Sequence, residues 1–129
     1  MWQDFGDYIL DEVGADHVKI AEIAVGKFDK IAEMLSEKEN ITLIKTDIAP
    51  SCESVIKDDI TNPDLDLYRD VDIIYSIRPP SELQPHLVSL AKEVNAMLII
   101  KPLTGEDLNT PGVKMQLKNF RKASFYILR

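Results

Sequence analysis

One glycine turn carries the residues best suited to bind a ligand. Gly26 follows an apolar run that ends at Val25 and precedes a helical pattern that begins at Phe28. A strand, a glycine turn and a helix in this order are typical of the opening of a nucleotide-binding unit. The backbone N–H groups at the start of the helix can bind a phosphate or a carboxylate, and glycine lets the ligand approach the backbone closely.

Two acids flank this turn at a spacing that suits a nucleotide. Glu22 lies near the end of the first predicted strand, where its carboxylate can accept a hydrogen bond from a ligand amine or hydroxyl. Asp47 ends the next apolar run, about 20 residues beyond Gly26, where doubly wound folds place the acid that binds a ribose diol. The dinucleotide fingerprint requires three glycines, however, and Ala24 and Phe28 occupy two of those positions.

The composition limits the classes of partner. The chain has 129 residues and a net charge of −7, which predicts a single domain over residues 1–129 that nucleic acid and anionic membranes repel. Cys52 is the only cysteine, and the sequence shows no leader peptide or membrane-spanning run, so we expect a cytoplasmic location. The expected partner is a small-molecule ligand, and association into a homodimer stays open.

The spacing of apolar residues predicts the elements that position these groups. The predicted order is a helix over 2–13, a strand ending at Val25, a helix over about 28–39, a strand from Ile41, a short strand over 54–57, one helical turn over 65–68, a strand over 71–77, a helix up to about 94, a buried strand over 96–100, and a hairpin of 113–118 with 124–128. Ser81 and Gln84 have the spacing of a capping box, although Pro85 favours a later helix start.

This α/β order predicts a three-layer, Rossmann-like, mostly parallel sheet with a C-terminal antiparallel hairpin. Ligands bind such sheets at the carboxyl ends of the strands. Five stretches fall at those ends and are expected to meet at one rim: residues 22–28, Asp47, Asp58 with Asp59, residues 77–80 and residues 101–106.

The same residues carry a resemblance to known families. Over about residues 18–100 the chain resembles the Rossmann-like fold of S-adenosylmethionine-dependent methyltransferases. Over nearly its whole length it resembles more closely an uncharacterised archaeal family of short methyltransferase-like proteins, family 0146. The closer resemblance is carried by residues 22–28, Asp59-Ile60, Asn62-Pro63, residues 75–80 (Tyr-Ser-Ile-Arg-Pro-Pro), residues 82–85 (Glu-Leu-Gln-Pro), residues 101–103 and Gly105-Glu106.

The resemblance to methyltransferases implies S-adenosylmethionine as the cofactor and transfer of a methyl group to a small molecule. It also implies roles for individual residues. Glu22, Ala24, Gly26 and Phe28 match the first cofactor motif, Asp47 matches the acid that binds the ribose diol, and Asp59 with Ile60 matches the pair at the adenine edge.

Arg78 and Pro79 stand where nucleic-acid amino-methyltransferases carry Asn or Asp before Pro-Pro. The guanidinium only donates hydrogen bonds, so Arg78 cannot accept one from a target amine. We expect Arg78 and Pro79 to contact the substrate instead, with Arg78 binding a carboxylate or phosphate. An ion pair of Arg78 with Glu82 is the alternative.

Two other functions stay open. The lost glycines, and the lack of a predicted helix between residues 100 and 113, favour a non-catalytic relic of the fold that binds a partner or a metabolite. Asp47 also suits the ribose of NAD. No catalytic residue is predicted. No metal site is predicted either, because the acids that could form one have a spacing that fits no calcium loop; they are Asp58, Asp59, Asp64 and Asp66.

Overall fold

A computed structural model describes residues 2–102 and 107–129, which form a seven-stranded sheet with helices on both faces. The strands are β1 (Val18–Ile23), β2 (Ile41–Asp47), β3 (Ile56–Lys57), β4 (Ile73–Ile77), β5 (Met97–Lys101), β6 (Gln116–Phe120) and β7 (Ala123–Leu128). The α-helices are α1 (Trp2–Val13), α2 (Lys30–Ser36) and α3 (Gln84–Val94), and 3-10 turns span Leu65–Tyr68 and Ser81–Leu83.

The strand order is β3-β2-β1-β4-β5-β7-β6. Strands β1 to β5 pair in parallel, whereas β7 is antiparallel to both β5 and β6. The predicted mostly parallel sheet with a C-terminal antiparallel hairpin is therefore confirmed. The chain builds outward from β1 to β3 and then crosses back to β4, so the strand order reverses between β1 and β4, where doubly wound folds bind ligands.

Alternating side chains divide the core into two layers, one on each face of the sheet. On β1, Ile20 packs beneath α1 and α2, while Ala21 and Ile23 pack beneath α3. The central strands β4 and β5 are buried on both faces, which explains their continuous apolar sequences.

Several details differ from the sequence prediction. Strand β1 ends at Ile23 rather than Val25, and β4 begins at Ile73 rather than 71. Helix α2 begins at Lys30 rather than 28, because residues 24–29 form a longer turn. The hairpin strand β6 starts at Gln116 rather than 113. The predicted capping box is wrong: Gln84 turns its amide to the Pro79 carbonyl, and the 3-10 turn before α3 has no side-chain cap.

No helix in the described ranges is both long and apolar enough to cross a membrane. Residues 103–106, which belong to the predicted rim stretch 101–106, lie outside the described residues.

Candidate functional site

The carboxyl ends of the parallel strands surround a cavity of about 440 Å³, a volume typical of small-molecule sites. Its walls come from four of the five stretches expected to meet at the rim. They are residues 23–28, Asp47 with Ile48, residues 58–60, and Ile77, Arg78, Pro80 and Leu83. Parallel pairing thus brings together residues that are far apart in the sequence.

The glycine turn forms the wall of the cavity next to β1. Gly26 has a φ of +60°, and an added Cβ would meet no other atom within 4 Å, so its surface is open to a ligand. Ala24 has a φ of +59°, a left-handed conformation that strains any residue with a Cβ. The Ala24 N–H donates to the Thr46 carbonyl at 3.0 Å, which ties the turn to the end of β2.

Asp47 organises this turn as well as lining the cavity. Its Oδ2 accepts from the Gly26 N–H at 2.9 Å, and its Oδ1 accepts from the Ala49 N–H at 2.9 Å. A carboxylate offers about four acceptor positions, so roughly half of its capacity remains for ligand hydroxyls. Asp47 therefore fixes the turn through two backbone hydrogen bonds and can still accept hydrogen bonds from a ligand.

An acid followed by isoleucine occurs twice in the wall. Asp59 Oδ1 accepts from the Thr61 N–H at 2.9 Å and the Thr61 hydroxyl at 2.7 Å, and these bonds lower the pKa of Asp59. Ile60 is buried beside it. Ile48, directly after Asp47, is 60 % exposed and lines the same cavity. Ile48 was not among the predicted site residues, although an isoleucine directly after a strand-ending acid repeats the pattern of Asp59-Ile60.

Tyr68 holds the loops on this side of the cavity in place. Its buried phenol lies 2.7 Å from Asp58 Oδ2 and 3.0 Å from Thr46 Oγ1. Because a carboxylate only accepts, the phenol donates to Asp58 and the Thr46 hydroxyl donates to the phenol oxygen. Burial and the carboxylate of Asp58 raise the pKa of Tyr68, whereas the bond to Thr46 opposes the rise.

Substituting Tyr68→Phe is expected to lower the free energy of unfolding by about 1–3 kcal/mol, because Thr46 and Asp58 lose their buried partner. Denaturant unfolding monitored by circular dichroism measures this difference. Tyr126→Phe on β7 is the matched control, since Tyr126 shares no side-chain hydrogen bond with another described residue. Equal losses in the two variants would contradict the role given to Tyr68.

Phe28 lines the cavity without filling it. Its ring lies 4.6 Å from the ring of Trp2, measured between centroids, and it packs against the core beneath α1. The guanidinium of Arg78 lies 5.1 Å from the Trp2 centroid and 5.9 Å from the Phe28 centroid. These cation–π contacts fix the head of Arg78 at the rim. Glu82, the alternative partner predicted for Arg78, forms no ion pair with it.

Residues 2–129 match the Uncharacterised protein family (UPF0146). The chain belongs to this family. A UPF0146 protein of Methanothermobacter thermautotrophicus is 40 % identical over 126 residues, which cover 98 % of this chain and 93 % of the relative. The family resemblance inferred from the sequence is therefore confirmed.

Solved structures show the fold that this UPF0146 chain shares. An S-adenosyl-L-methionine methyl transferase from Silicibacter pomeroyi superposes with a TM-score of 0.65 at 6 % identity, covering 99 % of this chain and 91 % of that one. A SAM dependent methyltransferase from Aquifex aeolicus gives 0.58 at 14 % identity, covering 95 % and 87 %. At these identities the similarity establishes a methyltransferase-like Rossmann fold.

Two predicted site residues lie outside the cavity wall of the UPF0146 chain. Glu22 is 1 % exposed, and its carboxylate accepts from the Tyr75 hydroxyl at 2.7 Å. Burial raises the pKa of Glu22 to about 7, against the smaller lowering effects of Tyr75 and Lys45. Pro79 is buried behind Arg78, and its carbonyl accepts from Gln84 at 3.3 Å. Both residues support the wall from behind rather than facing the cavity.

Asp58 and Asp64, two of the clustered acids, cap turns of the backbone. Asp58 Oδ1 accepts from the Asp64 N–H, and Asp64 Oδ1 accepts from the Asp66 N–H, each at 3.1 Å. Across residues 2–102 and 107–129, no group of three or more His, Cys, Asp or Glu side chains is arranged to hold a metal ion.

Proposed function

We propose that the cavity binds S-adenosylmethionine or a closely related adenosine ligand. One observation carries the proposal: the Gly26 turn, Asp47 and the Asp59-Ile60 pair line the same cavity at the point where the strand order reverses. In the sequence resemblance to methyltransferases, these residues correspond to the first cofactor motif, the acid that binds the ribose diol and the pair at the adenine edge. The shared fold of the two methyltransferases is consistent with this assignment.

The chemistry of the wall fits such a ligand. Asp47 retains acceptor capacity for a ribose diol, and Asp59 can accept from an adenine amine. Ile48 and Ile60 provide apolar surface for the flat base. The open surface at Gly26 leaves room for the methionine part. When bound, S-adenosylmethionine supplies an activated methyl group on its sulfonium.

The enzymatic form of the proposal is transfer of that methyl group to a small acidic or phosphorylated acceptor at Arg78. The contribution of this chain is to hold the two reactants in line, which alone can lower a barrier substantially. A non-catalytic binding protein is the second candidate. It is favoured by Ala24 and Phe28, which stand where the cofactor motif has glycines.

Calorimetric titration with S-adenosylmethionine and S-adenosylhomocysteine tests ligand binding. We expect dissociation constants in the micromolar to millimolar range. Gly26→Trp is expected to weaken binding by about tenfold or more, because the indole projects into the cavity. Gly14→Trp is the matched control, since Gly14 has the same φ of +60° and open surroundings but lies between α1 and β1, at the amino ends of the parallel strands.

No heat of binding at millimolar ligand would overturn the proposal. A heat of binding with NAD, and none with S-adenosylmethionine or S-adenosylhomocysteine, would reassign the site to a dinucleotide. Binding of S-adenosylmethionine without turnover of any carboxylate or phosphate acceptor would favour the non-catalytic candidate over the enzyme.

The base subsite gives a separate prediction for Ile48. Substituting Ile48→Ser is expected to weaken adenosine binding by about tenfold, because the base loses apolar contact area. The free energy of unfolding should change by less than about 0.5 kcal/mol, since the side chain is exposed. Leu117→Ser on β6 is the matched control, because Leu117 is 52 % exposed and is not part of the cavity wall. Equal affinities in both variants would exclude Ile48 from the site.

A further inference from the structure

Two cations stand side by side at the carboxyl ends of β4 and β5. Arg78 directly follows β4, and Lys101 is the last residue of β5. The Arg78 N–H donates to the Lys101 carbonyl at 2.7 Å, which fixes the two residues next to each other. Lys101 is only 7 % exposed. A lysine with so little exposed surface is normally paired with a carboxylate, so Lys101 calls for an explanation.

The other arginines of the chain are neutralised by acids. Arg69 pairs with Asp66, Arg129 pairs with Glu12, and Arg121 pairs with Asp4 and Asp7. Within residues 2–102 and 107–129, neither Arg78 nor Lys101 forms a side-chain ion pair or hydrogen bond. Two adjacent cations that pair with no acid among the described residues are unexpected in a chain with 22 acidic and 15 basic residues.

The fold holds these cations together against their repulsion. Burial lowers the pKa of Lys101, and the positive charge of Arg78 lowers it further. Arg78 also has a φ of +53°, a left-handed conformation that is strained for arginine. Trp2 and Phe28 restrain the guanidinium, so the positive charge is fixed in place before any ligand arrives.

We propose that Arg78 and Lys101 together bind the oxyanion of the methyl acceptor, a carboxylate or a phosphate group. This inference rests on the proposed function, because it assigns the charge of the second substrate. Arg78 also lines the adenosine cavity, so an anion bound here lies beside the methyl donor. The guanidinium provides two parallel donors, and the ammonium adds a second positive charge.

Trp2 gives a direct readout of anion binding, because it is the only tryptophan and it contacts Arg78. Its fluorescence is titrated with inorganic phosphate and with acetate at constant ionic strength, without any adenosine ligand. We expect a saturable change in fluorescence. Arg78→Gly and Lys101→Met are each expected to lower the affinity for the anion by about tenfold or more. Both variants should unfold at the same or a higher denaturant concentration, because Arg78→Gly removes a strained left-handed arginine and Lys101→Met removes one of two neighbouring positive charges.

Arg121→Gly is the matched control for Arg78. Arg121 has a φ of +54°, and its guanidinium lies 4.9 Å from the Phe120 centroid, but acids neutralise it. Lys114→Met, at an exposed position, is the control for Lys101. Both controls should bind phosphate like the unaltered chain. The stronger of the phosphate and acetate responses identifies the acceptor's anionic group.

A response that never saturates, or unchanged phosphate affinity in Lys101→Met, overturns the subsite. If S-adenosylmethionine binds and phosphate does not, the subsite alone fails. If phosphate binds and both adenosine ligands do not, the proposed function fails while the anion site stands.

Discussion

Glu22→Gln is expected to make the protein more stable by about 3 kcal/mol at about pH 8 and to leave it almost unchanged below about pH 4.5. The Glu22 carboxyl has its pKa raised from 4.5 to about 7 in the folded chain, chiefly by burial. The folded state therefore holds this proton more tightly than the unfolded state. Stability from this group is complete below pH 4.5 and is lost as the pH rises through about 7.

Burial raises the pKa of Glu22 by more than the neighbouring groups lower it. The Tyr75 hydroxyl and the positive charge of Lys45 on β2 lower the pKa, whereas Asp29 before α2 raises it. Burial raises the pKa of Tyr75 well above its usual range, so Tyr75 stays a hydrogen-bond donor throughout the range tested. Glutamine keeps an acceptor for that donor but cannot ionise.

Denaturant unfolding at several pH values between about 4 and 9 measures the difference between the variant and the unaltered chain. Glu37→Gln provides the control, because Glu37 lies exposed at the end of α2. The unfolding free energy of Glu37→Gln should equal that of the unaltered chain at every pH tested. If Glu22→Gln also follows it, the carboxyl ionises inside the fold without cost and the assignment of its pKa is wrong.

The order of the elements was readable from the sequence because apolar periodicity reports burial directly. Residues 2–13 and 96–100 were predicted almost to the residue, since one has a helical apolar stripe and the other is wholly apolar. Parallel pairing followed from the alternation of strands and helices. The start of α2 was misplaced because Phe28 looks like part of a helical stripe, whereas its ring packs on Trp2, a contact between distant elements.

The site was predictable only where a residue's role depends on its place along a strand. Asp47 and Asp59 lie at strand ends, so topology alone brings them to the rim. The orientation of Glu22 could not be predicted, because its position near a strand end does not determine whether its side chain faces the cavity or the core. Lys101 was predicted only as part of the rim stretch 101–106, because its burial depends on the packing of the β5 end beside Arg78.

Phe5→Ala is expected to lower the free energy of unfolding by about 3–5 kcal/mol, the range found for large core truncations. Phe5 is fully buried where α1 packs on the sheet. Its ring centroid lies 5.1 Å from that of Phe125, 6.3 Å from that of Tyr75 and 6.4 Å from that of Trp2. Alanine would leave a cavity among three rings that cannot all move inward, so relaxation recovers little of the lost contact.

Guanidinium chloride unfolding separates two ways in which this loss can occur. If the midpoint falls and the slope with denaturant is unchanged, α1 stays docked and the cavity accounts for the loss. A smaller slope would mean that α1 has already detached in the native state, and the fluorescence of Trp2 would then shift towards that of exposed indole. Leu117→Ala is the control, because Leu117 is 52 % exposed on β6 and should change stability by less than about 0.5 kcal/mol. A loss below about 1 kcal/mol in Phe5→Ala would show that the Phe5 ring contributes little to the packing of α1 on the sheet.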